Sequence, residues 1–253
     1  MTDYLPSYAF YDGAPAVIPV AHAANTLTRL EQAAGLGYQY VEIDVATTAD
    51  EVPVAIHGPK LWQRPGPQSP RLSVIEEMTL EEVQGKAPGT VSSEELITTF
   101  PDLRFFVDVK TARSVRPLSA LITKLALHDR LSIAGSNYAY PSAVKEQVGR
   151  DGFICTTLGT FGGSIALAAT RLRLGAVEEH LRSIGATEFA LPVVLPTTTK
   201  RAHSLGMRVF TWTPNTKKAI SGSIDKGVDG IISDEFALLM GLAGQSAGND
   251  GRR

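Results

Sequence analysis

The sequence predicts an α/β protein of the TIM, or (β/α)8, barrel class, on three observations. Short apolar segments with strand character alternate with segments of helical spacing, which is typical of parallel βαβ units. There are eight such strand-like segments, and 253 residues is a suitable length for one barrel of this class. No linker or internal repeat divides the chain, so we expect a single domain over residues 1–253, with loose termini at about 1–12 and 244–253.

The individual elements follow from hydrophobic periodicity and from residues that favour helix ends. The predicted strands are Val17–Ala21, Tyr40–Val45, Leu103–Val109, Leu131–Ala134, Gly152–Thr156, Glu188–Leu191, Arg208–Thr213 and Gly230–Ser233. The predicted helices are Thr26–Ala34, Glu94–Phe100, Val115–Leu127, Pro141–Val148, Ser164–Leu172, Ala176–Ile184, Thr197–Leu205 and Lys217–Lys226.

The alternation is interrupted once, between the second and third strands. The interval Ala46–Asp102 is too long for an unstructured connection inside a compact domain. It contains an extra strand, Val52–His57, then a Pro- and Gly-rich loop, Gly58–Ser73, and then short helical pieces. We therefore expect an extra excursion between strands 2 and 3.

Composition excludes several classes of protein. The net charge of −2 gives no general affinity for nucleic acid. The one cysteine, Cys155, allows neither an intrachain disulfide nor a cysteine cluster for zinc. No apolar run approaches the roughly 20 residues that span a membrane, and the start MTDYLPSYAF lacks the features of a signal peptide. We expect a cytoplasmic protein, or a secreted one if a signal peptide has been removed.

The segment Val41–Val45 carries two acids on one face of an apolar strand. Side chains alternate along a strand, so Glu42 and Asp44 point the same way, repel each other and lose their water. A hard divalent cation such as Mg²⁺ or Ca²⁺, which prefers oxygen ligands, would relieve this repulsion. The alternative is one inward acid paired with a lysine or an arginine.

Other polar residues also fall at strand ends, which in a TIM barrel converge on the active-site face. They are His22, His57, Asp108, Lys110, Trp212, Asn215 and Asp234. Three carboxylates can hold one divalent cation against a phosphate, a lysine can add positive charge, and two imidazoles can divide the proton transfers of phosphodiester cleavage. Taken singly, each residue also has a structural interpretation: a buried histidine, an Asp108–Lys110 salt bridge, or a core tryptophan.

The motifs AHAANTL and GYQYVEIDVATTADEVPVAIHG, followed by FVDVK, RVFTWTPN and GVDGIISDEF, resemble the glycerophosphodiester phosphodiesterase superfamily. The resemblance runs from about Val17 to Leu239. It implies a TIM barrel with one divalent cation, Mg²⁺ or Ca²⁺, and two catalytic histidines. The residues implied are Glu42, Asp44 and Asp108 as metal ligands, His22 and His57 as the catalytic pair, and Lys110, Trp212, Asn25 and Trp62 as substrate contacts.

Three departures from ordinary bacterial members favour the phospholipase D branch known from spider venoms. Ordinary members have His-Arg-Gly and a longer loop before Glu-Asn-Thr, whereas here His22 is followed directly by Ala23-Ala24-Asn25-Thr26. His57 is followed by Gly58 instead of Asp, and Asp108 stands where Glu is usual. The venom branch has His-x-x-Asn, His-Gly and Asp-x-Lys, although its cysteines after the second histidine are absent here.

We therefore expect a metal-dependent phosphodiester hydrolase of the lysophospholipase D type. It would cleave lysophospholipids on the head-group side of the phosphate, through a cyclic phosphate formed by the neighbouring sn-2 hydroxyl. The loop Gly58–Ser73 would face the lipid tail and make transient contact with a membrane or micelle; the alternative is a hydrophobic loop folded in against the protein. The alternative is a glycerophosphodiester phosphodiesterase acting on deacylated, water-soluble substrates. Weaker alternatives are a catalytically silent binding barrel and a metal-dependent aldolase or sugar isomerase, because fold alone does not fix function.

Overall fold

The computed structural model describes residues 9–58, 60–62, 72–135, 137, 139–149, 155–157, 185–192 and 194–249. Within these residues lie eleven strands. They are β1 (Ile18–Ala21), β2 (Tyr40–Thr47), β3 (Pro53–Ala55), β4 (Lys60–Trp62), β5 (Leu72–Val74), β6 (Arg104–Val109), β7 (Leu131–Ala134), β8 (Cys155–Thr157), β9 (Glu188–Leu191), β10 (Arg208–Trp212) and β11 (Gly230–Ser233).

Eight of these strands form one curved parallel sheet in chain order. Parallel ladders join β1 to β2, β2 to β6, β6 to β7, β8 to β9, β9 to β10 and β10 to β11. The last strand pairs with the first, in the register Ile18 to Gly230 through Ala21 to Ser233, and β7 contacts β8. The predicted α/β class with a parallel sheet is confirmed, and this strand order is that of a (β/α)8 barrel.

The helices follow the predicted order with small shifts at their ends. They are α1 (Leu27–Gly35), α2 (Leu80–Lys86), α3 (Ser93–Thr99), α4 (Val115–Lys124), α5 (Ala139–Val148), α6 (Pro196–Ser204), α7 (Lys217–Ile224) and α8 (Phe236–Asn249). The predicted helices Ser164–Leu172 and Ala176–Ile184 lie outside the described residues. Helix α8 was not predicted, because its apolar residues are interrupted by glycines and show no clear polar face. No helix within the described ranges is long and apolar enough to cross a bilayer.

Each parallel strand has two apolar faces, which explains why the strand segments are apolar almost throughout. On β2, Val41, Ile43 and Val45 pack in the layer between sheet and helices, whereas Tyr40 packs inside the barrel. Within the described residues, the interior set follows this alternation on seven of the eight parallel strands. Its members are Ile18, Val20, Tyr40, Phe106, Ala134, Ala190, Phe210 and Ile232.

The N-terminal end of the barrel is closed by a 3₁₀ turn, Ala9–Tyr11. Phe10 and Tyr11 are buried, and the Phe10 ring packs edge-on against Tyr40 and Phe106. Residues 9–12 are therefore not the loose terminus that the sequence predicted. The barrel interior covers the side chains of Phe10 and Tyr11, and their burial was not predicted from the sequence. At the other end, α8 continues to Asn249 within the segment expected to be loose.

The interval between β2 and β6 contains regular structure. Strand β3 runs antiparallel to β2. It corresponds to the predicted extra strand, Val52–His57, but has only three residues. The predicted loop Gly58–Ser73 includes a second antiparallel pair, β4 with β5. Arg113, after β6, holds the interval by donating to the Ala49 carbonyl at 2.9 Å and pairing with Glu51 at 2.6 Å.

Gly230 is required by close packing inside the barrel. A Cβ atom at Gly230 would lie 2.1 Å from the ring of Phe210. We expect Gly230→Ala to lower the free energy of unfolding by about 1–3 kcal/mol, which is the usual cost of overpacking a core. Denaturant unfolding would measure it. The matched control is Gly222→Ala in α7, where a Cβ meets nothing within 4 Å. This change should raise stability by up to about 1 kcal/mol. A Gly230→Ala protein as stable as the parent would contradict the packing argument.

Candidate active site

Three carboxylates meet at the carboxyl end of the parallel strands. Glu42 and Asp44 continue the inward alternation of β2 above Tyr40, and Asp108 does the same on β6 above Phe106. Asp44 and Asp108 are direct partners in the β2–β6 ladder. One oxygen from each of the three acids lies within 4.8 Å of the other two, and all three side chains are largely buried.

Lys110 lies against two of these acids. Its Nζ is 2.6 Å from Asp44 Oδ1 and 2.5 Å from Asp108 Oδ2. Burial by itself lowers the pKa of Lys110, but the carboxylates of Asp108 and Asp44 outweigh it, so the net shift is upward. The salt-bridge interpretation of Asp108 and Lys110 is therefore realised, yet it does not account for Glu42 or for Asp108 Oδ1. That oxygen is buried without a hydrogen-bond partner among the described residues.

The electrostatics of Glu42 fit a cation site. Burial raises the pKa of Glu42 well above its ordinary value, and the charges of Asp44 and Asp108 raise it further. The main-chain N–H of Ala23, which donates to Glu42 Oε2 at 2.7 Å, and the charge of Lys110 oppose this only in part. Among the described residues these three carboxylates face a single ammonium, so full ionisation of the cluster would leave a buried negative charge. A divalent cation with oxygen ligands suits this donor set.

The loop between β1 and α1 orients the acids. The Asn25 side chain makes two hydrogen bonds with Asp44: Nδ2 donates to Oδ2 at 2.7 Å, and Oδ1 accepts from the Asp44 main-chain N–H at 2.8 Å. We predicted Asn25 as a substrate contact. In the structure both ends of its amide bind Asp44.

His22 follows β1 and is held by Asp234, which follows β11. His22 Nδ1 is 2.7 Å from Asp234 Oδ1, and Asn215 donates to Asp234 Oδ2 at 2.7 Å. Burial tends to raise the pKa of Asp234, but the hydrogen bonds from His22 and Asn215 outweigh it and leave the pKa below its ordinary value. A carboxylate on Nδ1 directs the other nitrogen away, and His22 Nε2 lies 3.9 Å from Glu42 Oε2.

The other predicted site residues are less constrained. His57 lies two residues beyond β3 and is exposed, and its ring makes no hydrogen bond or ion pair in the part of the chain that the structure describes. Its neighbour Ile56 donates its main-chain N–H to the Asp44 carbonyl, which places His57 beside the acidic strand. Trp212 caps the barrel interior, and its Nε1 is buried without a partner in the described residues. Trp62 ends β4, and its side chain lies outside the described part.

Sequence reasoning placed Asp234 and Asn215 at strand ends without giving them a role, and it missed Arg29. The Asp234–His22 bond joins residues 212 positions apart, and only closure of the sheet through β1 and β11 brings them together. Arg29 lies in the first turn of α1, where no strand-end pattern applies. It donates from Nη2 to the His22 carbonyl at 3.0 Å.

Comparison with known proteins identifies the family of the chain. The profile of the glycerophosphoryl diester phosphodiesterase family matches residues 13–149 and 159–238. The chain belongs to this family. Its members are phosphoric diester hydrolases, so the predicted enzyme class is confirmed.

Relatives extend over most of the chain. The chain is 27% identical over 228 residues to "Probable glycerophosphodiester phosphodiesterase 2" of Mycobacterium tuberculosis (strain ATCC 25618 / H37Rv), covering 85% of this chain and 83% of that protein. A solved structure from Silicibacter pomeroyi DSS-3 has a TM-score of 0.78 at 18% identity, covering 95% of this chain and 99% of that one. An Oleispira antarctica phosphodiesterase, solved with the product sn-glycerol-3-phosphate, has a TM-score of 0.70 at 17% identity, covering 95% and 99%. These relatives give no support to the predicted phospholipase D branch.

The acidic cluster predicts a metal-dependent gain in stability. Mg²⁺ or Ca²⁺ at about one hundred times its Kd should stabilise the folded protein by about 2.7 kcal/mol, because the unfolded chain has no assembled site. Glu42→Gln should abolish this gain. In metal-free protein the same change should raise Tm near neutral pH, because ionising a carboxyl whose pKa is raised by folding costs stability as the pH increases. Calorimetry over a pH series would measure both effects.

The control for that experiment is Glu31→Gln, which alters an exposed acid on α1. It should leave both the metal-dependent gain and the metal-free Tm unchanged. The advantage of Glu42→Gln should shrink as the pH falls toward the ordinary pKa of a glutamate, since both forms are then neutral at this position. An undiminished metal response in the Glu42→Gln protein would remove Glu42 from the site.

Proposed function

We propose that this protein is a metal-dependent glycerophosphodiester phosphodiesterase that hydrolyses deacylated, water-soluble glycerophosphodiesters. The observation that carries the proposal is the buried cluster of Glu42, Asp44 and Asp108 with His22 beside it, in a chain that belongs to the family. This is the alternative that the sequence left open, and the comparisons favour it over the lysophospholipase D reaction.

Glu42, Asp44 and Asp108 would hold the divalent cation. When bound, such a cation coordinates a phosphate oxygen and neutralises the charge that develops at phosphorus. Lys110 holds Asp44 and Asp108 in place through its two short contacts. Its positive charge also makes the mouth of the barrel attractive to a phosphodiester.

The two histidines would transfer the protons. His22 is fixed through Nδ1 by Asp234, so Nε2 is the nitrogen that faces the acids and can exchange a proton with substrate. His57 is exposed beside the same strand and would serve the opposite side of the phosphorus. One histidine takes the proton of the attacking hydroxyl, and the other protonates the departing head-group oxygen.

A glycerophosphodiester carries its own nucleophile, the glycerol 2-hydroxyl next to the phosphate. Attack by that oxygen forms one P–O bond and breaks the P–O bond to the head group, which leaves as an alcohol. The product is a five-membered cyclic phosphate, and water then opens the ring to glycerol phosphate. Intramolecular attack benefits from high effective molarity. The product sn-glycerol-3-phosphate in the Oleispira antarctica structure supports a glycerol phosphate as the retained part of the substrate.

Lysophospholipid cleavage is a second candidate, favoured by the His57-Gly58 and Asp108-x-Lys110 patterns. The chemistry at phosphorus would be the same, because a lysophospholipid has the same free hydroxyl. The two candidates differ only in whether the protein binds an acyl tail of the substrate. The loop Gly58–Ser73 was predicted to face such a tail.

Substrate preference separates the two candidates. We expect glycerophosphocholine and glycerophosphoethanolamine to exceed lysophosphatidylcholine in kcat/KM, because the residues that support the proposal are charged groups suited to a phosphate and not to an acyl tail. Phosphorus NMR of the products, with Mg²⁺ or Ca²⁺ and again with excess EDTA, would measure the rate of cleavage of each substrate. EDTA should abolish turnover, and a 2-O-methylated substrate should bind without reacting. Faster cleavage of the lysolipid would favour the second candidate, and full activity in EDTA would refute the metal.

The histidines provide a separate prediction. His22→Ala and His57→Ala should each lower kcat at least about 10²-fold, which is the usual contribution of one general acid or base. The double variant should lose less kcat than the product of the two single fold-losses, because both histidines act on one transition state. His128→Ala, in a 3₁₀ turn before β7 at the far end of the barrel, is the control and should retain parental turnover. Ordinary turnover by His57→Ala would exclude His57 from proton transfer.

A further inference from the structure

Arg29 occupies an unusual position, behind His22 and away from the acids. Its guanidinium lies 4.5 Å above the centre of the Phe236 ring, at the start of α8. Its Nη2 donates to the main-chain carbonyl of His22 at 3.0 Å. The side chain thus joins the loop after β1, which carries His22, to the start of α8, two residues after Asp234.

Helix stability does not explain an arginine at this position. Cations in the first turn of a helix oppose the helix dipole, and α1 has no acidic residue in its first turn to offset Arg29. The N-cap of α1 uses only the Arg29 main chain, whose N–H donates to Thr26 Oγ1 at 3.3 Å. Arg29 Nε is moreover buried without a hydrogen-bond partner among the described residues. An apolar side chain would serve the helix better.

The contacts of His22 show what Arg29 does contribute. The His22 main-chain N–H donates to the Ser233 carbonyl at 3.0 Å, its carbonyl accepts from Arg29, and its ring nitrogen Nδ1 pairs with Asp234. Arg29 is the only one of these three partners that comes from α1. It fixes the peptide that follows the Cα atom of His22, and so limits rotation of the whole residue.

We propose that Arg29 is a positioning residue for His22, which rests on the proposed role of His22 in proton transfer. Arg29 holds the His22 carbonyl so that the ring keeps Nδ1 on Asp234 and Nε2 toward the acids. It touches neither substrate nor metal. Its removal misaligns proton transfer and leaves substrate binding largely intact, because the three carboxylates lie on β2 and β6 and Lys110 directly follows β6.

Steady-state kinetics test the proposal with Arg29→Met, Arg29→Gln and Arg29→Lys. Arg29→Met keeps the apolar stem but loses the donor, and it should lower kcat by about 10–100-fold, since small misplacements of a reacting group can cost about 10²-fold. Its KM should change little, and its Tm should be equal or higher. Arg29→Lys and Arg29→Gln retain a donor and should recover most of the lost kcat. Arg116→Met, at an exposed arginine in the first turn of α4, should match the parent.

A readout that needs no substrate separates this inference from the proposed function. In alkaline buffer, nitrogen NMR of the metal-free parent should show His22 protonated at Nδ1, and Arg29→Met should show a mixture of the two tautomers. If the parent cleaves no glycerophosphodiester, the proposed function fails and the ring signals alone decide on Arg29. Parental kcat in Arg29→Met, an equal loss in Arg116→Met, or an unchanged His22 tautomer would overturn the positioning role. If Arg29→Met does not fold, the other two variants decide: loss of kcat in both Arg29→Lys and Arg29→Gln would overturn the positioning role.

Discussion

The mutual repulsion of Glu42, Asp44 and Asp108 is the constraint on which the rest of the barrel mouth depends. Asp44 and Asp108 are ladder partners on neighbouring strands, and Glu42 lies two residues below Asp44 on the same face, so none can move away without leaving its strand. Three donors are directed at them: the Ala23 main chain, the Asn25 amide and the Lys110 ammonium. The conformation of the β1–α1 loop is thus set largely by the need to hold carboxylates that would otherwise repel one another.

The acids keep their places because the layer below them is closely packed and apolar. Tyr40 and Phe106 lie directly beneath Glu42 and Asp108 on the inner face, and Phe210 packs against Phe106 across the barrel with Gly230 leaving room for its ring. A slip of one residue in the β2–β6 ladder would exchange the acids for Ile43 and Val107 and bury charge against the helices. The aromatic layer opposes that slip, so the register that packs the core also assembles the candidate site.

Strand alternation accounts for what the sequence could predict and what it could not. Glu42, Asp44, Asp108 and Lys110 were recognisable because each continues the inward period of an apolar strand, so their convergence needed only the parallel order. Contacts that depend on the path of a loop were not accessible in this way. Asn25 makes its contacts from the β1–α1 connection and Arg29 from the first turn of α1, and the buried pair Phe10 and Tyr11 depends on an interior that only the closed sheet creates. Residue propensities predict individual helices and strands, whereas these contacts depend on how the helices and strands pack together in three dimensions.

The two histidines differ in a way that fits the proposed sequence of steps. His22 is bound through its main chain and its ring, whereas His57 is exposed and makes no polar contact within the described residues. In cyclisation followed by ring opening, the histidine that accepts a proton in the first step returns it in the second, and its partner does the reverse. A fixed imidazole suits the transfer that must be aligned with the ring-forming hydroxyl. An exposed imidazole suits the side on which the head group departs and water enters, because that side must open to solvent between the two steps. The asymmetry of the site therefore matches the asymmetry of the proposed reaction.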